Sequence, residues 1–130
     1  MYNAAGEYRK TQVLNSTGIE VIVLLYDGAL QSMRLAQDGI RRNHQADKAR
    51  FIKRALNIVS ELMNVLDMER GGEIAVSLRR LYDYMLAELS QANLRNDATR
   101  IDGPIRCMMT LREAWEQLAV APRMAMAVAG

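Results

Sequence analysis

A chain of 130 residues fits one domain and can bury a core without staples. Seventeen Lys and Arg against fifteen Asp and Glu leave a formal charge of +2, too small a margin to create a strong field for nucleic acid. The single cysteine, Cys107, excludes an internal disulfide. That suits the reducing cytosol, and its apolar setting beside Met108 and Met109 reads as a buried thiol rather than a nucleophile.

Residues 1–16 are mostly polar, with Tyr2, Tyr8, Val13 and Leu14 scattered through them, and read as a mobile N-terminal arm. No apolar h-region follows a basic start, so no cleaved signal peptide is expected. Thr17-Gly18-Ile19-Glu20 matches a capping box and starts a first helix. Ile22, Tyr26, Ala29, Met33, Ala36 and Ile40 follow at steps of four and three and line one face. Gly28 within that helix predicts close approach of a neighbour. The stretch Ile19–Leu30 is too short to span a bilayer.

Asp47 is the expected N-cap of a second helix, whose seam is Ile52, Ala55, Val59, Leu62 and Leu66. Phe51, Leu56, Ile58, Met63 and Val65 widen its apolar arc. Either the helix is buried on two sides within its own bundle, or part of the surface is kept for a partner. Gly71-Gly72 supplies a permissive reversal. Ile74, Leu78, Leu81 and Met85 form the third expected seam, and Tyr82, Leu86 and Leu89 a second stripe beside it. A fourth seam runs through Ile105, Met108, Leu111, Trp115 and Leu118. Its helix starts either from Asp97 as cap or, with less strain, from Asp102 with Pro104 in the first turn. Residues 119–130, with Pro122, lack heptad order and read as a flexible tail.

The expected fold is all-α: an antiparallel up-down four-helix bundle over 17–118, with no period-2 run to compete. Chemistry is scarce. The sole histidine, His44, falls in an expected loop, and no Glu-x-x-His pair suggests a metal bundle. No nucleophile has a base at motif spacing, and Gly71-Gly72 lacks the spacing of a phosphate loop. No catalytic, cofactor-binding or metal residue is assigned. Lys48, Arg50, Lys53 and Arg54 open the second helix, but Glu61, Asp67 and Glu69 reverse the sign further along, against nucleic-acid binding. The expected function is contact rather than catalysis.

The segments Leu24-Leu25-Tyr26-Asp27-Gly28-Ala29, Leu66-Asp67-Met68-Glu69-Arg70-Gly71-Gly72-Glu73-Ile74-Ala75, Leu81-Tyr82-Asp83-Tyr84-Met85 and Leu111-Arg112-Glu113-Ala114-Trp115, in that order and spacing, resemble the FliS-type flagellin export chaperones. The likeness runs from about Tyr8 to Leu118. It implies the same bundle behind a mobile arm, and a cytoplasmic protein that sequesters the disordered C-terminal segment of flagellin. Such a protein prevents early polymerisation and aids delivery to the flagellar type III export gate. It implies no cofactor, and it matches Tyr8 to an arm tyrosine that covers the binding groove in the absence of client. Gly18, where relatives commonly have proline, and Gly103-Pro104 depart from the pattern.

The partner-binding candidates are Tyr8, Leu14, Tyr26, Leu56, Met63, Tyr82 and Leu86. Leu56, Met63, Tyr82 and Leu86 form the expected client groove if exposed, and are core if fully buried. The alternative reading is a structural or regulatory bundle that self-associates through these stripes and binds no disordered client.

Overall fold

The computed structural model describes the backbone of residues 18–129 and the side-chain surroundings of 18–118; the expected arm at 1–16 lies outside the described residues. Four long helices follow in order: α1 (Ile19–Arg41), α2 (Gln45–Asn64), α3 (Met68–Arg95) and α4 (Asp102–Ala129), the last preceded by a 3₁₀ turn at Ala98–Ile101. Short connections make consecutive helices antiparallel neighbours, as the heptad patterns predict. α4 continues helical past Leu118 to Ala129, so position 119, where the sequence suggests a tail, is not a helix end.

Each helix turns one stripe inward. On α1, Ile22, Tyr26, Ala29, Met33, Ala36 and Ile40 are buried, and on α2 Ile52, Ala55, Val59 and Leu62, followed by Leu66. Both seams are those expected from the sequence. On α3 the buried stripe is Ala75, Leu78, Tyr82, Met85, Leu89 and Ala92, while Ile74 is 61% exposed and Leu81 half-buried. The expected third seam is therefore corrected at Ile74 and Leu81: the helix is turned so that Tyr82 enters the core. Ile101, Met108 and Trp115 close the core from the last segment.

The caps also differ from expectation. Gly18, in extended conformation, is the N-cap of α1 and makes no side-chain cap bond; the expected capping Thr17 lies outside the described residues. His44, not Asp47, caps α2: its Nδ1 accepts from the Asp47 backbone N–H at 3.2 Å. The Asp47 carboxylate turns instead to Arg42, 3.1 Å away. Both starts considered for the fourth helix are used in succession. Asp97 caps the 3₁₀ turn through Thr99, and Asp102 opens α4 with Pro104 in its first turn.

α1 ends in a Schellman turn, with His44 N–H reaching the Gly39 carbonyl and Asn43 N–H the Ile40 carbonyl. Asn43 takes the required left-handed conformation, φ 54°. The α2–α3 reversal falls at Val65–Asp67, and Asp67 accepts from the Arg70 N–H to start α3. Gly72, at φ 54° and ψ −134°, then breaks the first turn of α3 from the rest. The permissive glycine is used one turn later than a simple helix end would need it.

The helices form a strip, α4–α1–α2–α3, folded back on itself. Among the described residues α1 packs closely against α2 and α4, α2 against α3, and the two ends of the strip, α3 and α4, touch only sparingly. The α1–α2 approach depends on two glycines. A Cβ on Gly28 would lie 3.2 Å from Ile58 Cδ1, and one on Gly39 only 2.8 Å from the Lys48 backbone nitrogen.

Candidate functional site

The core is not uniformly apolar. Tyr26 on α1, Tyr82 on α3 and Trp115 on α4 are all buried and meet through their polar atoms. The Trp115 indole N–H donates to the Tyr26 hydroxyl at 2.9 Å, and the Tyr26 and Tyr82 hydroxyls share a 2.6 Å hydrogen bond. One atom, the Tyr26 oxygen, thus links three helices. Burial disfavours the phenolates: it pushes the Tyr26 hydroxyl up to about 12, and raises Tyr82 as well, with the neighbouring Tyr26 adding to the effect. Burial also raises the Cys107 thiol, which lowers its thiolate content.

The next residue on α1 extends the junction to the surface. Asp27 pairs with Arg112 on α4 through both guanidinium Nε and Nη2, and Arg112 Nη1 reaches Glu116 at 2.7 Å. Adjacent residues of the Leu25-Tyr26-Asp27 triplet therefore hold residues of α4 three apart, Trp115 and Arg112, on one helical face. A second polar tie lies nearer the α3–α4 connection. Buried Gln37 donates from Nε2 to the Ala98 carbonyl at 3.0 Å and to Asp102 Oδ1 at 2.7 Å.

The candidate binding residues separate into three groups. Tyr26 and Tyr82 are interior, 0% and 1% exposed, and in this conformation neither presents a surface to a partner. Leu56, Met63 and Leu86 are half-buried against the core. Ile58, one side of the α2 stripe, faces Gly28 of α1. Leu56 and Met63 lie on the opposite side of Val59, one heptad apart, and so border α3, as Leu86 borders α2. These three form an apolar margin along α2 and α3. Tyr8 and Leu14 lie outside the described residues.

Sequence reasoning missed the pairing of Asp27 with Arg112. Its signal was present: Tyr26-Asp27 and Arg112-x-x-Trp115 are complementary pairs at compatible spacing. It also missed Leu24, Ile74 and Leu94 as exposed apolar residues, each above 60%. An open hollow of about 550 Å³ lies beside the Gly72 break, lined by Met68, Glu73, Val76, Ser77 and Arg80, and contains none of the candidates. Among the described residues no group of three His, Cys, Asp or Glu is placed to hold a metal, and no helix is long and apolar enough to cross a membrane.

Fold and site together define the class: an antiparallel four-helix bundle with a hydrogen-bonded core and half-buried apolar margins. The family model described as flagellar protein FliS matches residues 1–122. The flagellar secretion chaperone FliS of Salmonella typhimurium is 35% identical over 126 residues, covering 92% of this chain and 93% of that one. Its counterpart in Campylobacter jejuni is 39% identical over 108 residues, 80% and 84% of the two chains. That of Escherichia coli is 30% identical over 129 residues, 94% and 95%. The chain belongs to the FliS family.

Proposed function

We propose that this protein is a cytoplasmic, non-enzymatic export chaperone. Its client is the disordered C-terminal segment of flagellin, which it keeps from polymerising and helps deliver to the flagellar type III export gate. The supporting observation is the margin of Leu56, Met63 and Leu86. These apolar side chains pack on the core yet keep accessible surface, in a family whose Salmonella, Campylobacter and Escherichia members are named secretion chaperones. An amphipathic segment laid along α2 and α3 would complete their burial. A chain disordered beforehand wraps such a margin and orders as it binds, offsetting the entropy cost with buried apolar area. Tyr8 and Leu14 belong to the arm that would cover this margin in the absence of client, and Tyr26 and Tyr82 hold the helices that carry it.

Titration calorimetry with a peptide spanning the flagellin C-terminal segment tests the reading. One-to-one binding with a negative heat-capacity change is expected. Leu56→Asp, Met63→Asp and Leu86→Asp should each weaken it at least about ten-fold while retaining far-UV circular dichroism. A folded wild-type chain that ignores the peptide sinks the proposal.

A further inference from the structure

We propose that the bundle opens along its α3–α4 edge: the two helices part at the end remote from the 96–101 connection, with the Tyr82–Tyr26 hydrogen bond holding them shut.

Three observations on the closed bundle lead there. The first is the unequal packing of its four sides among the described residues, with α3 against α4 by far the sparsest. The second is a gradient along that edge. Near the connection, the Glu88 carboxylate lies 3.8 Å from Arg100, and the Tyr84 hydroxyl presses on Gly103, leaving no room for a Cβ there. One turn further Leu81 is half-buried; two turns beyond that Ile74 is 61% exposed, and on α4 Leu111 and Leu118 are only half-buried. A four-sided bundle closed along its whole length would bury these apolar positions as fully as it buries Leu78 and Trp115.

The third is the chemistry of the closing contact. Tyr26 keeps Trp115 as a partner whether or not α3 is present, so α4 remains tied to α1 while α3 withdraws. On the α3 side of the junction, the only hydrogen bond among the described residues is Tyr82 to Tyr26. Parting the edge breaks that bond and wets the Tyr82 hydroxyl, and water then supplies the lost partner. The α1–α2 half, with glycine-mediated contact at Gly28 and Gly39, stays intact. The structure thus contains a low-stability unit distinct from global unfolding.

Native-state hydrogen exchange on the full chain, measured against urea, tests this. Amides of 74–82 are expected to exchange at least about ten-fold faster than those of 26–40 and 108–118, with a smaller urea slope that marks a sub-global opening. Equal rates and slopes in the two sets overturn the proposal.

Discussion

The Tyr26 oxygen makes two buried hydrogen bonds and the Tyr82 oxygen one, so removing either hydroxyl should have unequal consequences. In Tyr26→Phe the Trp115 N–H, buried at 3% exposure, loses its acceptor, and the Tyr82 hydroxyl loses its partner. Each orphaned buried group costs about 1–3 kcal/mol, so a loss of about 2–6 kcal/mol is expected. In Tyr82→Phe the Tyr26–Trp115 bond survives and only the Tyr26 hydroxyl loses a partner, which gives about 1–3 kcal/mol, half the loss in Tyr26→Phe. The double variant should fall short of the sum by at least about 2 kcal/mol, because the Tyr82 hydroxyl that Tyr26→Phe strands and the Tyr26 hydroxyl that Tyr82→Phe strands are both then absent. Urea unfolding followed by circular dichroism at 222 nm is the appropriate assay, since Trp115 fluorescence would report the perturbed contact itself. The m-value should stay constant. A Tyr82→Phe variant as damaging as Tyr26→Phe, or strictly additive losses, would refute the assignment of Tyr26 as the shared acceptor.

Other perturbations follow from the same geometry. Gly39→Ala places a methyl 2.8 Å from the Lys48 backbone nitrogen and should destabilise by about 1–3 kcal/mol despite its better helix propensity. Gly28→Ala meets only the far ends of the Ile58 and Arg54 side chains and should lie within about 1 kcal/mol of wild type; equal effects in urea melts would contradict this contrast. Gly72→Ala must adopt φ 54° with ψ −134° and should cost about 1–3 kcal/mol, visible in thermal melts. Both buried tyrosines have folded-state values raised above the unfolded value near 10. The native chain therefore holds more protons than the unfolded one at alkaline pH. Both contributions are complete below about pH 10; that of Tyr26 is lost as pH rises toward about 12, and that of Tyr82, raised further, continues to fall above it. Tyrosinate absorbance should appear in step with unfolding, and Tyr26→Phe should flatten the alkaline decline in urea midpoint.

The seams of α1 and α2 were legible because polar residues interrupt every alternative register around Ile22, Tyr26, Ala29 and Met33, and around Ile52, Ala55 and Val59. On α3 two adjacent registers are both apolar: Leu81 and Tyr82 are neighbours, and period alone does not choose between them. The choice is made by a hydroxyl partner 56 positions earlier, which local pattern does not contain. Cap residues were read one turn wrong at His44 for a similar reason. The His44 ring nitrogen accepts the backbone N–H that a capping carboxylate would take, and Asp47 had a competing cation in Arg42. The half-buried margin of Leu56, Met63 and Leu86 was visible as apolar excess, whereas the interior placement of Tyr26 and Tyr82 needed the packed helices.

Heptad seams by themselves tolerate slippage, since a helix moved one repeat along its neighbours meets similar side chains again. The paired contacts of Tyr26 with Trp115 and of Asp27 with Arg112 remove that freedom for α4. A shift of one turn, about 5.4 Å, would set the indole donor against Ile22 and Val23 or Ala29 and Leu30, none of which can accept it, and would take Arg112 away from the Asp27 carboxylate. The neighbouring tyrosine and aspartate thus act as an address with two different letters, one read in the dry interior and one at the wet surface, and only one axial alignment of α4 satisfies both.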